Sequence, residues 1–430
     1  MKILNTNDAN FNMEFEAILA RAKTDIKDVS KIVTTIIDEI VENGNEALKS
    51  HIEKFDKWEV KSDDELMISK EDMKAAYENI DENLRTALHT AYDRIKSYHE
   101  KQLPKSWVDF EKNGTILGQK VTAVDKAGLY IPGGKAAYPS SLLMNAIPAI
   151  VAGVEEIVVC TPTPNNEINE LLLAACYICN ISKAYKVGGA SAIAAMAYGT
   201  QTIPKVDVIT GPGNIFVATA KKLVFGEVHI DMIAGPSEIG ILADGSAKAK
   251  YLAIDLLSQA EHDEMASSIM ITTCEEIAKY TSDEVENYLK TLSRETIARK
   301  SIDDRGAIIV AQSMDEAIEL MNEIAPEHLE VMTQNPFELL PKIKHAGAIF
   351  LGENTPEPIG DYIAGPNHTL PTGSTAKFYS PLNVENFMKK SSIINFSKQA
   401  IDELGEACAL LADTEGLTAH AKSVRVRLED

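Results

Sequence analysis

Apolar, strand-like runs alternate with helix-like segments through much of the chain, and this alternation limits the fold more than any other feature. A first series of strands is predicted at residues 128–131, 156–160, 184–187 and 206–209. Each run is followed by a turn rich in glycine or proline and then by a helix-like segment. Strands that alternate with helices predict a parallel, doubly wound sheet.

A second series follows the first and predicts another sheet of the same kind. Its strands are expected at residues 238–242, 267–272, 306–310, 329–332 and 347–351. The predicted fold class is therefore α/β, with two Rossmann-like, doubly wound parallel-sheet units. Such sheets bind ligands beyond the carboxyl ends of their strands. The turns of the first series lie at those ends, at residues 132–135, 161–164, 188–190 and 211–214.

The two series suggest how the chain divides into domains. Residues 1–22 are predicted to form an N-terminal arm. A first α/β domain combines residues 23–127 with residues 238–380, and residues 128–237 form a second, cofactor-side α/β domain inserted into it. Residues 381–430 form a small α-rich tail, too short to bury a core of its own. We therefore expect the tail to dock on another part of the protein and to act in dimerisation.

One short motif predicts local structure within the first part of the chain. Asn113 and Gly114 form a dipeptide that favours a tight turn, and residues on either side of it alternate in polarity. This pattern predicts a β-hairpin over residues 107–124.

Charge and hydropathy exclude several classes of partner. The 430-residue chain has a formal net charge of −22. This acidic balance argues against nucleic acid and against anionic membrane surfaces. No stretch approaches the roughly 20 consecutive apolar residues of a membrane span, and residues 1–8 lack the layout of a signal peptide. We expect a cytoplasmic protein whose partner is a small molecule.

Two proton-transfer groups stand side by side at a predicted element boundary. A helix-like run over residues 314–324 ends before Pro326, and the strand-like run over residues 329–332 follows. Between them lie Glu327 and His328, whose ordinary pKa values of about 4.3 and about 6.5 provide bases of different strength. Taken alone, two ordinary surface residues would be the commoner interpretation of this pair.

Three further segments carry potential metal ligands. Asp255, Gln259 and His262 are spaced to form one polar stripe on a helix, although a solvated helix end fits that stretch equally well. A loop-like segment rich in glycine and proline supplies Asp361 and His368, and the tail supplies Glu415 and His420.

Four of these side chains would make a mixed nitrogen and oxygen ligand set. Gln259, His262, Asp361 and His420 offer two imidazole nitrogens and two oxygens, which suit Zn²⁺ but also neighbouring transition metals. Their spacing does not prove that they converge.

The sequence signal for dinucleotide binding is weaker, because Phe216 occupies the place of the third glycine after Gly211-Pro-Gly213. Such turns present backbone N–H groups to a pyrophosphate, but a plain structural turn explains each of them equally well.

With these segments placed, the chain resembles the histidinol dehydrogenase family from about residue 20 to residue 428. Several long blocks in the same order carry the resemblance. They are residues 128–134, 210–214, 231–238, 259–263, 325–328, 360–361, 364–368 and 415–416, together with His420.

The resemblance implies a reaction and a fold. Family members oxidise L-histidinol to L-histidine through the aldehyde in two NAD-dependent steps, the last of histidine biosynthesis. The family fold is similar to that of aldehyde dehydrogenases, with small N- and C-terminal extensions in an intertwined homodimer. The resemblance also implies that His328 takes the alcohol proton and that Glu327 activates the water that attacks the aldehyde.

The resemblance also implies roles for individual residues. The zinc ligands would be Gln259, His262, Asp361 and His420, with one zinc ion per subunit. The substrate contacts would be Ser237, His368 and Glu415, together with His328 and the zinc ligands. The cofactor contacts would be Tyr130, Asn214 and Ser191, where the family usually has glutamine.

Two alternatives remain open from the sequence. The first is a related zinc- and NAD-dependent enzyme that acts on another amino alcohol or on a sulfonated alcohol. Glu415 favours an amino alcohol over a sulfonated one, because a carboxylate suits a cationic amino group. A non-catalytic metal-binding module is the second alternative. The presence of Glu327 and His328 beside a full ligand set argues against it.

Overall fold

The computed structural model describes residues 1–21, 27–133 and 138–429. The strands within these ranges are β1 (Lys2–Asn5), β2 (Trp107–Phe110), β3 (Ile116–Ala123), β4 (Lys126–Tyr130), β5 (Glu156–Cys160), β6 (Lys183–Tyr185), β7 (Val208–Thr210), β8 (His229–Ile230), β9 (Glu238–Ala243), β10 (Ser267–Thr272), β11 (Ala307–Val310), β12 (His328–Met332), β13 (Ala348–Leu351) and β14 (Met388–Asn395).

The helices within the same ranges are α1 (Phe11–Arg21), α2 (Lys27–Asn43), α3 (Asn45–Phe55), α4 (Lys70–Asn79), α5 (Glu82–Glu100), α6 (Pro139–Ala152), α7 (Glu170–Ile178), α8 (Gly189–Tyr198), α9 (Ile215–Val224), α10 (Ala249–Ala260), α11 (Glu275–Leu289), α12 (Glu295–Arg305), α13 (Met314–Ile324), α14 (Pro336–Leu339), α15 (Glu357–Ile359), α16 (Lys398–Thr414) and α17 (Thr418–Glu429). None of these helices is long and apolar enough to span a membrane.

Contacts divide the chain into two units. The first contains residues Met1–Gln102 and Asp125–Phe387, and the second contains Leu103–Val124 and Met388–Asp430. The first unit holds two parallel sheets, which confirms the predicted α/β class. The predicted strands of both series are found within about two residues of their expected limits. One predicted turn, at residues 132–135, ends in Gly134 and Lys135, which lie outside the described residues.

A six-stranded parallel sheet in the order β1-β11-β10-β9-β12-β13 forms one half of the first unit. Every residue of its four central strands is buried, as expected for a parallel sheet covered on both faces. One core joins the sheet to α10, α11 and α12, and another joins it to α1 and α13.

The N-terminal arm belongs to this sheet. Strand β1 pairs in parallel with β11, from Lys2 opposite Ala307 to Asn5 opposite Val310. Phe11 and Phe15 of α1 then enter the core beside α13. The segment expected to be a separate arm is therefore an edge strand and a covering helix.

A five-stranded parallel sheet in the order β6-β5-β4-β7-β8 forms the other half. Its core includes α8 and α9, and also α2 and α3. This packing differs from the predicted grouping of residues 23–127 with residues 238–380. Helix α2 has an apolar stripe that includes Val33, Ile37 and Ile40, so it must pack against another surface. The helical periodicity of the sequence does not show which of the two sheets provides that surface.

The second unit contains a three-stranded antiparallel sheet in the order β14-β3-β2. The hairpin of β2 and β3 is confirmed, and Gly114 in its turn has φ +80°, a conformation that glycine adopts readily. Strand β14 pairs with the whole of β3. The tail is therefore not only helical, and the hairpin is grouped with the tail instead of with the first α/β domain. The tail's strand runs MKKSSIIN and lacks the strict alternation that identifies a half-buried strand.

Candidate active site

The Glu327–His328 pair lies where α13 turns into a central strand of the six-stranded sheet. Helix α13 ends at Ile324, and Ala325 takes the left-handed conformation with φ 51° and ψ 62°. After Pro326 and Glu327, His328 is the first residue of β12. Both side chains are buried, with 7% and 3% exposure. The predicted helix, turn and strand are confirmed, and they direct two polar groups into the interior.

The neighbouring strand β9 holds both members of the pair. The backbone N–H of Glu238 donates to Oε2 of Glu327 at 3.0 Å. Nδ1 of His328 lies 3.2 Å from the backbone oxygen of Glu238. Because a carbonyl oxygen only accepts, Nδ1 carries the proton in this contact. The neutral ring then has Nε2 as its basic atom.

Three carboxylates surround the imidazole of His328. Oδ1 of Asp361 lies 3.3 Å from Nε2, while oxygens of Glu327 and Glu357 lie 3.7 Å and 3.9 Å from Nδ1. Burial opposes the charged ring, but the negative charge of Glu357, Glu327 and Asp361 raises the pKa of His328 well above its usual range. The site therefore stabilises an imidazolium strongly.

Burial changes the acidity of the carboxyl groups as well. Burial raises the pKa of Glu327 to about 8, with His328 acting in the opposite direction. The pKa of Glu238 is raised to about 7 for the same reason. Glu327 is therefore a stronger base than an ordinary glutamate, and it becomes available as a base near pH 8.

Gln259 lies in the last turn of α10 and is fully buried. In the amide orientation that satisfies both groups, its nitrogen donates to the two oxygens of Glu357 at 2.7 and 3.1 Å. This contact fixes the amide plane and leaves the carbonyl oxygen of Gln259 available to a cation. His262 differs from prediction: it lies beyond the end of α10 on an exposed turn, so it does not continue a helical stripe with Asp255 and Gln259.

Asp361 and His368 come from one segment and touch each other. Nδ1 of His368 lies 3.0 Å from the backbone oxygen of Asp361, and Nε2 lies 3.5 Å from Oγ of Ser141. Burial lowers the pKa of His368, which favours its neutral form. Ser237 is half-buried and immediately precedes β9, the strand that holds Glu327 and His328.

The described residues contain donors suited to a divalent cation. Ligand atoms of His328, Glu357 and Asp361 lie within 4.8 Å of one another. Nε2 of His328 is buried and makes no hydrogen bond in the described part of the chain. Carboxylate and imidazole donors gathered in this way suit a borderline metal such as zinc, with Asp361 as the member of the group expected to bind it.

The remaining predicted site residues, Glu415 and His420, lie in the second unit. Glu415 follows α16, and His420 is in the first turn of α17. Both side chains are exposed. In this respect they contrast with the buried donors of the first unit.

The predicted cofactor residues lie at the carboxyl side of the five-stranded sheet. Tyr130 ends β4, and its hydroxyl accepts from the N–H of Gly189 at 3.2 Å. Asn214 caps α9 by accepting from two backbone N–H groups. Ser191 lies in the first turn of α8, with Oγ 2.9 Å from Nδ1 of His51. These residues thus lie at the end of the sheet where ligands of parallel sheets are expected, whereas Glu327 and His328 lie at the amino end of their sheet.

The turn at Gly211 packs directly against the backbone of Tyr130. Its φ is +118°, and a Cβ there would lie 2.0 Å from the backbone oxygen of Tyr130. Glycine is required here because a side chain would collide with the chain's own backbone.

Sequence reasoning missed several buried carboxylates of the site. Glu357 and Glu238 were not predicted to act, although both border segments that were recognised. Glu330 is buried inside β12, next to Asp255, and burial raises its pKa well above its usual range. A charged residue within an apolar strand was the available signal, because such groups are rarely buried without a role.

Comparison with known proteins identifies close relatives. Residues 19–428 match the sequence model of the family described as histidinol dehydrogenase. The histidinol dehydrogenase of Sulfurimonas denitrificans is 71% identical over 98% of both chains. That of Wolinella succinogenes is 67% identical over 100% of this chain and 99% of its own. The crystal structure of histidinol dehydrogenase from Elizabethkingia anophelis has a TM-score of 0.94 at 35% identity, covering 100% of this chain and 98% of that one.

Proposed function

This chain belongs to the histidinol dehydrogenase family of oxidoreductases, and we propose that it oxidises L-histidinol to L-histidine through L-histidinal, with two NAD as acceptors. The reaction would complete L-histidine biosynthesis, in the cytoplasm. The observation that carries the proposal is the buried Glu327–His328 pair, because two adjacent bases with different environments match two different proton transfers.

His328 serves the alcohol step in this proposal. Only the neutral form of His328 can act as this base: with its Nδ1 proton held by the backbone oxygen of Glu238, its Nε2 takes the hydroxyl proton of the substrate. The carboxylates of Glu357 and Asp361 stabilise the imidazolium that results. The reacting carbon loses a hydride to NAD as the proton leaves.

Glu327 serves the aldehyde step. Its burial strengthens it as a base, so it can remove a proton from the water that attacks L-histidinal. The N–H of Glu238 keeps one carboxylate oxygen in place and leaves the other for the water. The hydrate then loses the second hydride.

One zinc ion per subunit would be held by Gln259, His262, Asp361 and His420. Zinc at this place would hold nitrogen atoms of the substrate and orient its reacting carbon. The hydrogen bonds from the Gln259 amide nitrogen to Glu357 hold the amide and leave its oxygen out of that contact, so the oxygen would serve as the ligand atom. Zinc dependence, like the ligand set, is part of the proposal.

Recognition of the substrate and the cofactor uses further residues. Ser237, His368 and Glu415 would contact L-histidinol, and the carboxylate of Glu415 suits its cationic amino group. Tyr130, Ser191 and Asn214 would contact NAD at the carboxyl side of the five-stranded sheet. His420 and Glu415 would reach the site within an intertwined homodimer.

The deciding experiment is a stoichiometric assay with purified protein, zinc, NAD and a limiting amount of L-histidinol. We expect two NADH for each L-histidinol consumed, with L-histidine as the product. One NADH per substrate with accumulation of L-histidinal would contradict the two-step proposal. Turnover of a different amino alcohol or of a sulfonated alcohol, without turnover of L-histidinol, would assign the chain to another substrate.

A further inference from the structure

A buried ion pair lies beneath the turn at residues 211–214. Lys221 belongs to α9, and Asp231 follows β8. The side chain of Lys221 is 2% exposed and that of Asp231 is fully buried, and Nζ of Lys221 pairs with Oδ1 of Asp231. The pair is remote in sequence from Glu327 and His328, and no step proposed above uses it.

Both charged groups bond to the backbone of a single residue, Gly211. Nζ of Lys221 donates to the oxygen of Gly211 at 2.9 Å. The N–H of Gly211 donates to Oδ2 of Asp231 at 2.9 Å. The ion pair therefore fixes the orientation of the peptide groups on both sides of the Gly211 Cα.

Gly211 is the point at which this turn passes closest to Tyr130. Gly211 has a left-handed φ of +118°, and there is no room for a Cβ beside the Tyr130 oxygen. A flexible glycine would leave this conformation readily unless other groups held it in place. Three residues later, Asn214 caps α9. Fixing Gly211 thus fixes the spacing between Tyr130 and Asn214, the two sides of the expected cofactor cradle.

Asp231 also begins the connection between the two sheets. The N–H of Met232 donates to its Oδ1 at 2.6 Å. The connection runs to Ser237 and then to Glu238, whose backbone bonds both Glu327 and His328. One carboxylate therefore ties the turn to the segment that leads to the catalytic strand.

A buried ion pair is a costly way to gain stability, because desolvation offsets much of the attraction. An apolar pair of similar volume would fill the same space but would leave the peptide groups of Gly211 without restraint. We propose that Lys221 and Asp231 are positioning residues that hold the 211–214 turn in its cofactor-binding shape before NAD arrives. The proposal rests on the proposed function, which makes this turn part of an NAD site.

The decisive variant removes both charges and both side-chain hydrogen bonds to Gly211 at similar volume, as Lys221→Met combined with Asp231→Leu. The matched control is Lys205→Met with Glu227→Gln, which removes a half-exposed ion pair associated with the same sheet. If the restrained turn is only about one tenth populated without the pair, the apparent affinity for NAD falls about tenfold. We expect the KM for NAD to rise about tenfold or more in the first variant and to stay within about twofold in the control.

Two readouts separate positioning from simple damage to the fold. The KM for L-histidinol should stay within about twofold of wild type while the KM for NAD rises, because the pair touches no substrate residue. A folded double variant with an unchanged KM for NAD would overturn the proposal. Equal increases in both KM values would overturn it as well, since they would indicate general damage.

A measurement on the unaltered protein covers the case in which the variant does not fold. Hydrogen exchange of the Gly211 amide should be slow without NAD and should change less than about threefold when NAD is added, because the turn is already formed. Fast exchange that becomes slow only with NAD would contradict pre-positioning. Failure of the function itself would look different, since wild-type protein would then form no NADH from L-histidinol.

Discussion

At the scale of single residues, the site shows how environment gives two neighbouring side chains different work. Three carboxylates favour the cationic form of His328 against the opposing effect of burial, whereas burial favours the neutral form of Glu327. Adjacency in the sequence predicted that the pair could share a substrate. It could not predict the carboxylate of Glu357, which approaches His328 from a segment 29 residues further along the sequence.

We predict that replacing these two bases separates the two oxidation steps. Glu327→Gln should slow oxidation of L-histidinal by about 10²–10⁴-fold and slow the alcohol step less, because only the aldehyde step needs an activated water. His328→Asn should slow the alcohol step. Each variant is assayed with L-histidinol and with L-histidinal supplied directly. Glu323→Gln, at an exposed position of α13, is the control, and equal losses in both steps for Glu327→Gln would reject the division of roles.

The raised pKa of Glu327 predicts a pH profile for the same step. A general base works only when it has lost its proton, so oxidation of L-histidinal should be slow at pH 6 and rise to a plateau above an apparent pKa of about 8. The profile is measured as kcat against pH with saturating L-histidinal. In Glu327→Gln this rise should vanish; its persistence there would assign the titration to another group.

At the scale of secondary-structure elements, the junction between α13 and β12 sets the position of the pair. Ala325 is buried and left-handed, a conformation that costs a non-glycine residue about 1–2 kcal/mol. The following Pro326 prevents the helix from continuing. Glu327 and His328 therefore leave the helix at a fixed point and enter β12 beside β9.

We predict that this strain makes glycine unusually acceptable at residue 325. Ala325→Gly removes a buried methyl group worth about 0.8 kcal/mol but relieves a similar amount of backbone strain, so the free energy of unfolding should change by less than about 1 kcal/mol. Ala317→Gly, at a buried helical position of α13, should cost about 1.5–2 kcal/mol. Urea denaturation of both variants gives the comparison. Equal destabilisation would show that the left-handed residue is not strained.

Elements were also the scale at which sequence reasoning succeeded most. Apolar runs such as β11, with four buried apolar residues, are recognisable in the sequence because both of their faces are covered. Pairing partners were harder to predict. Strand β1 pairs with β11 although 301 residues, Thr6 to Gly306, lie between them in the sequence. Helix α2 likewise packs on a sheet whose strands come much later in the chain. Which strand or sheet an element packs against depends on the surface buried in the whole fold, and a local sequence pattern carries no information about that.

At the scale of the whole molecule, the second unit has several large apolar side chains exposed to solvent. Trp107, Phe110 and Ile394 of its sheet are exposed, as are Leu410 and Leu411 of α16. Trp107 and Ile394 lie on the same face of the sheet, because their partners Gln119 and Leu117 on β3 are two residues apart, and an exposed apolar patch marks a contact surface. They support the proposal that this unit packs in a homodimer, where the exposed His420 of α17 would meet the site of the other subunit.

We predict that each zinc site is shared between subunits, with His420 supplied by the partner chain. Asp361→Ala and His420→Ala should each give inactive homodimers. In a hybrid of the two, the His420→Ala chain keeps Asp361 and receives an intact His420, so one of the two sites is complete. Mixing the variants under conditions of subunit exchange should therefore restore activity, up to about half of the wild-type value per hybrid dimer. If mass measurement shows hybrids but no activity returns, each site is built within one chain, because a site that drew both ligands from a single subunit would remain defective in every combination.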